Sequence, residues 1–161
     1  MSNVLLVTSS ALVEASASRK IATALVNAIK STAGQASSKV VVTCRDVSDI
    51  KPVSLAGLSS LRVPEDERTP EQAAAAQYAD AMIEEVEAAS IVVITAPMYT
   101  FTIPASLKAW IEYLNRPGRA FVHTEDGDRG LLVNKKVFVV LTRGSKFSID
   151  DPMNFQERYL T

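Results

Sequence analysis

Apolar positions along the chain gather into short unbroken runs, separated by stretches in which they recur every three or four residues. Val4-Leu5-Leu6-Val7, Val40-Val41-Val42 and Ile91-Val92-Val93-Ile94 are runs of this kind, as is Val137-Phe138-Val139-Val140-Leu141. Unbroken β-rich runs of this length predict parallel strands buried on both faces, over 3–8, 40–44, 91–96 and 136–142. Between them, Ile21, Leu25, Ala28 and Ile29 keep helical spacing, with Ser18 placed as N-cap and Gly34 past the end. This predicts a helix over 18–32. Thr69-Pro70-Glu71 starts a second helix, over 70–89, because Thr can cap, Pro suits the first helical position, and the acid complements the helix dipole. Its apolar face is Ala75, Ala79, Met82, Ile83 and Val86. Leu107, Trp110, Ile111 and Leu114 define a third helix over 104–115.

Two stretches lack such a pattern. Residues 45–68, with Pro52, Gly57 and Pro64, are long for a plain connection and are either functional or conceal a short helix around 55–61. Residues 116–134 read as a polar loop with Gly118, Gly127 and Gly130. Strands alternating with helices predict an α/β fold with a doubly wound, mostly parallel sheet and right-handed crossovers. Neither repeats nor a linker interrupt it, so one domain over 1–161 is expected. Sheets of this kind usually carry one more strand and helix than the chain shows after 142, so the last strand and helix are expected to be lacking within 1–161.

Composition narrows the classes. The 161 residues are 47% hydrophobic and 22% charged, with 17 Lys and Arg against 18 Asp and Glu. At this length an apolar core is the main source of stability without metal or disulfide. A net charge near −1 supplies no basic field for nucleic acid or anionic membrane. No apolar run approaches the roughly 20 residues of a membrane span, and no Lys or Arg precedes Val4 as in a signal peptide. A cytoplasmic protein without metal, nucleic-acid or membrane partners is therefore expected. Cys44 is the lone cysteine, far in sequence from the lone histidine, His123. It reads as a buried residue at a strand end rather than a nucleophile.

In an open α/β sheet, ligands bind beyond the carboxyl ends of the strands. The loop after the first strand, Thr8-Ser9-Ser10 to Ser16-Ala17-Ser18, matches neither G-x-G-x-x-G nor G-x-x-x-x-G-K-[ST]. It offers hydroxyls and the N–H groups of a helix start, which together suit a monophosphate without a cation. Alternatively, Ser16 and Ser18 simply cap the helix. After the third strand come Pro97-Met98-Tyr99-Thr100-Phe101, apolar side chains that either pack on a planar ring or seal the core. After the fourth, Thr142-Arg143-Gly144-Ser145 places a glycine where a backbone approaches a ligand or makes a plain turn. Three such loops at one edge favour a phosphate-bearing planar cofactor.

These residues resemble the FMN-dependent NAD(P)H azoreductases and quinone reductases, within the flavodoxin-like superfamily. The likeness spans the chain. It rests on Ser9-Ser10 with Ser16-x-Ser18, on Ala96-Pro97-Met98-Tyr99-x-Phe101-x-Ile103-Pro104 with Leu107-Lys108-x-Trp110-Ile111, on Phe121-x-x-Thr124-Glu125-x-Gly127-x-x-Gly130-Leu131, and on Thr142-Arg143-Gly144. The resemblance implies that Ser10, Ser16, Ala17 and Ser18 cradle the FMN phosphate. It further implies that Met98, Tyr99, Thr100 and Phe101 contact the flavin ring, with Thr142, Arg143, Gly144 and Ser145 closing its other edge. The chain departs from the family at Thr100, where Asn is usual, at Ser145, where a second Gly is usual, and at His123, where Tyr is usual.

The implied reaction is ping-pong transfer of two electrons from NADH or NADPH to a quinone or azo compound. The cofactor carries that chemistry, so no catalytic side chain is required. Phe101 and His123 are the implied substrate contacts, His123 as a proton or hydrogen-bond donor or as a plain loop histidine. The resemblance also implies a homodimer with pockets at the interface. A flavodoxin-type electron carrier, which the near-neutral charge disfavours, and a flavin-free fragment or regulatory relative of such a reductase remain the alternatives.

Overall fold

A computed structural model of the chain describes residues 2–35 and 39–160; the ends of the expected domain, Met1 and Thr161, lie outside them. In chain order the elements are β1 (Ser2–Thr8), α1 (Ala17–Gln35), β2 (Val40–Asp46), α2 (Leu55–Ser60), α3 (Pro70–Ala88), β3 (Ile91–Pro97), α4 (Ala105–Leu114), β4 (Phe121–Thr124), β5 (Gly127–Gly130), β6 (Lys136–Thr142) and α5 (Phe155–Leu160). A 3-10 turn lies at Glu65–Glu67. The apolar runs form one parallel sheet in the order β2-β1-β3-β6. The shared direction of the strands matters for function, because it brings the carboxyl ends of β1, β3 and β6 to one edge.

Alternate side chains of the central strands face opposite layers. Leu5, Val7 and Val92 join Met82 and Val86 of α3 and Leu107 and Trp110 of α4 in one core. On the other face, Val4, Leu6, Val93 and Val140 pack with Ala22 and Val26 of α1. Helix α3 starts at a capping box, with the Thr69 hydroxyl accepting from the Gln72 N–H and the Gln72 side chain accepting from the Thr69 N–H.

Four expectations are corrected. Cys44 is exposed, because β2 is an edge strand and its side chains face the core only in alternation. The cap of α1 is Ser16, whose Oγ accepts from the Arg19 N–H at 3.2 Å, so Ser18 lies within the first turn. Gly34 is not past the end of α1 but inside it. Residues 116–134 are not a simple loop: β4 and β5 pair antiparallel around a tight connection at Glu125-Asp126. Gly127, with φ of 112°, adopts there a backbone that side-chain-bearing residues avoid. The missed signal is the Asp-Gly pair, a hairpin marker that lacked flanking apolar alternation. Arg119 fastens this hairpin to α3 through Asp80 and Glu87, and Arg116 joins Asp80 at 2.8 Å. The hydrogen bond from Arg119 holds the Glu87 carboxyl below its ordinary pKa, outweighing its partial burial.

Candidate functional site

The loop after β1 is held from below before it presents anything outward. Ser9 is buried; its N–H donates to Thr95 Oγ1 at 2.9 Å and its hydroxyl to the Thr95 carbonyl at 2.5 Å, fastening the loop to the adjacent strand. Further on, Ser16 and Ser18 are both buried, with their hydroxyl oxygens 3.0 Å apart. Both sit at the first turn of α1, where Ala17 and Ser18 have no helical carbonyl upstream for their N–H groups. Hydroxyls and main-chain N–H groups at the positive end of a helix form an anion-binding arrangement.

The loop after β3 closes on this one through Tyr99. Its hydroxyl lies 3.3 Å from Ser10 Oγ and accepts from the Ala11 N–H at 3.1 Å. Tyr99 and Thr102 exchange main-chain hydrogen bonds of 2.9 and 3.2 Å across Thr100 and Phe101. Those two residues have φ of 47° and 68°, the left-handed pair that a tight two-residue reversal requires. Asn and Gly take this conformation readily, whereas β-branched Thr is strained in it. The Phe101 ring is displayed, 41% exposed, and meets Phe147 edge-on with centroids 6.3 Å apart.

The loop after β6 supplies the third wall. Met98 N–H donates to the Thr142 carbonyl at 2.7 Å, joining the two loops at their roots. Arg143 pairs through Nη2 with Glu157 at 3.2 Å, while its Nη1 is buried without a hydrogen-bond partner among the described residues. The Asn154 amide and then Arg143 hold the Glu157 carboxyl below its ordinary pKa. A Cβ on Gly144 would meet nothing within 4 Å, so this glycine borders open space rather than packed backbone.

Together the three loops enclose a cleft of about 300 Å³, lined by Ser10, Leu12, Ala15, Ser16, Ala17, Ser18, Pro97, Met98, Tyr99, Thr142, Arg143 and Gly144. Nine of the positions singled out from the sequence thus share one cavity. Thr100, Phe101 and Ser145 do not line it. His123 lies elsewhere, on a separate cavity of about 580 Å³ with Lys108, Phe121, Asp128 and Tyr159. There its Nδ1 sits 2.5 Å from Asp128 Oδ1, directly across the β4–β5 ladder. Sequence reasoning missed Asp128, and also Arg19, whose guanidinium braces the first loop; neither stands out by spacing. Among the described residues no group of His, Cys, Asp and Glu is placed to hold a metal.

Comparison with known proteins sets this geometry in context. Residues 2–161 match a protein family described by its flavodoxin-like fold. The FMN-dependent NADH:quinone oxidoreductase of Aromatoleum aromaticum is 38% identical over 158 residues, covering 98% of this chain and 78% of the relative. FMN-dependent NADH:quinone oxidoreductase 1 of Hahella chejuensis is 37% identical, with 99% of this chain and 76% of the relative covered. Among solved structures, the azoreductase of Bacillus anthracis str. Sterne superposes with a TM-score of 0.87 at 26% identity, over 99% of this chain and 78% of its own.

Proposed function

The chain belongs to the family that shares the flavodoxin-like fold, and on that premise we propose that it is an FMN-dependent oxidoreductase carrying electrons from NADH to quinone or azo acceptors. The relatives named for FMN-dependent NADH:quinone oxidoreduction and for azoreduction support the activity. The observation that carries the reading is the convergence of three loops on one cleft at the carboxyl edge of the sheet.

The residues fit the group. Two buried hydroxyls at a helix start suit a phosphate, and the unpartnered Arg143 Nη1 is a buried donor in need of an acceptor. When bound, FMN supplies the two-electron chemistry. In this reading Ser10, Ser16, Ala17 and Ser18 hold the phosphate, Met98, Tyr99, Thr100 and Phe101 hold one side of the ring, and Thr142, Arg143, Gly144 and Ser145 bound its other edge. Phe101 walls the slot that nicotinamide and acceptor occupy in turn, which makes the kinetics ping-pong.

Assembly and location complete the proposal. Among the described residues the β4–β5 hairpin forms a two-stranded sheet apart from the parallel one, and Phe121 and Val122 on it are half-buried in an otherwise polar stretch of sequence. We infer a homodimer in which this hairpin, with His123 as hydrogen-bond or proton donor, borders the cleft of the second copy. A two-fold interface of this kind uses the same patch on both chains. Among the described residues no helix is long and apolar enough to cross a membrane, and the location inferred is the cytoplasm.

The test is reconstitution. Purified chain mixed with FMN and freed of excess by gel filtration is expected to elute yellow, as a dimer by light scattering, and to oxidise NADH when a quinone is added. Parallel reciprocal plots at varied quinone are expected for the ping-pong order. Absence of retained flavin together with absence of NADH-dependent quinone reduction defeats the proposal; a monomer with full activity defeats its dimeric part.

A further inference from the structure

The ring loop is strained at Thr100 and Phe101, and something must hold it. Such backbone persists only where its surroundings over-determine it. The residue that meets this need comes from far along the chain. Gln156, in the first turn of α5, is completely buried. Its main-chain N–H donates to the Phe101 carbonyl at 3.1 Å, directly on the strained turn. Its side-chain Nε2 donates to the Ala96 carbonyl at 2.6 Å and reaches the Thr142 carbonyl at 3.5 Å. Those carbonyls belong to the ends of β3 and β6, the roots of the two loops assigned to the flavin ring. Both are acceptors, so the amide must turn its NH₂ toward them. Its Oε1 is then left buried without a partner among the described residues. An unsatisfied buried acceptor is destabilising, a penalty that an apolar side chain here would avoid.

We propose that Gln156 is a positioning residue for the flavin-ring loops, clamping the carboxyl ends of β3 and β6 and the Thr100–Phe101 turn into one binding-ready arrangement. The inference rests on the FMN reading above and adds to it a residue outside the cleft. Gln156 touches no reacting atom in this account and acts through the carbonyls of Ala96, Phe101 and Thr142.

Three FMN titrations, followed by flavin fluorescence, test it. Gln156→Met keeps the length of the side chain and removes its donor; it is expected to weaken FMN binding roughly five- to tenfold, the equivalent of one hydrogen bond. In a Thr100→Gly background, where glycine adopts the left-handed turn without strain, the same substitution is expected to lose most of that effect. Gln156→Glu supplies a readout that a merely structural role would not move. Protonated, the carboxyl still donates to Ala96; ionised, it faces carbonyl oxygens and is repelled, and burial raises its pKa. Its FMN affinity relative to wild type, compared pH by pH because the phosphate itself titrates near pH 6, is expected to fall as pH rises from about 5 to 8. This variant also serves if Gln156→Met does not fold. Wild-type affinity in Gln156→Met, an equal loss in both backgrounds, or a flat pH ratio for Gln156→Glu each overturns the proposal. If wild type itself binds no FMN, the functional reading fails and takes this inference with it; if wild type binds and the variants match it, only the role of Gln156 fails.

Discussion

Arg19 and Asp46 form an ion pair at 2.8 Å that bridges the start of α1 and the end of β2. The same guanidinium donates to the Ser10 carbonyl at 2.8 Å and to Thr8 Oγ1 at 3.0 Å. A cation adjacent in sequence to the proposed phosphate loop is therefore spent on bracing that loop. Under that proposal the hydroxyls and N–H groups are left to face the anion.

Removing the brace should loosen the loop. Arg19→Met is expected to weaken FMN binding by roughly fivefold or more, since hydrogen bonds to charged groups contribute about 1.5–3 kcal/mol and only part of that reaches the ligand. Lys20→Met, one position on and exposed, is the control. Equal affinities for the two variants by fluorescence titration would argue against a bracing role.

The ion pair also has a pH signature. Burial pushes the Asp46 carboxyl up, but hydrogen bonds from Ser48 and from Arg19 together outweigh it and leave its pKa lowered in the folded chain. A carboxyl whose folded pKa lies below the unfolded value of about 3.9 stabilises the fold above that value. The contribution is lost as pH falls through the lowered folded value. Thermal unfolding followed from about pH 6 down to pH 3 is therefore expected to show a shallower acid decline for Asp46→Asn than for wild type; identical slopes would assign the acid sensitivity to other carboxylates.

The phosphate assignment rests on Ser16 and Ser18, yet only Ser16 caps the helix. Changing both to Ala is expected to weaken FMN binding at least tenfold, because each hydroxyl bond to a charged oxygen contributes about 1.5–3 kcal/mol. Ser18→Ala alone separates binding from capping: it should weaken FMN while leaving the melting temperature near that of wild type. Unchanged FMN affinity in the double variant would leave these serines as caps and nothing more.

Phe101 stands 41% exposed at the tip of the strained turn. An aromatic ring there stacks offset on a planar acceptor, a geometry contributing about 0.5–1.5 kcal/mol beyond area burial. Phe101→Ala is expected to retain FMN, to raise KM for quinones and azo dyes, and to alter the preference among them. Loss of FMN instead, with no selective change in acceptor kinetics, would make Phe101 a plug for the loop rather than a wall of the slot.

What the sequence determined by itself follows from short-range physics. Unbroken runs such as Ile91 to Ile94 can be satisfied only by burial on both faces, and Thr69-Pro70 can start only a helix, so β3 and α3 emerge within a residue or two. The loops that end at Ser18, Phe101 and Gly144 were legible because an alternating β-α chain sends its strand ends to one edge. Tertiary structure decided the rest. Whether Cys44 is buried depends on β2 lying at the edge of the sheet, an order that local spacing does not encode. The β4–β5 hairpin formed from a segment with too few apolar residues to announce strands, through its turn and its tether to α3 at Asp80 and Glu87. Arg19 and Gln156 became significant only when folding brought them to carbonyls 9 and 60 residues away, because a hydrogen bond depends on distance in space and leaves no periodicity along the chain.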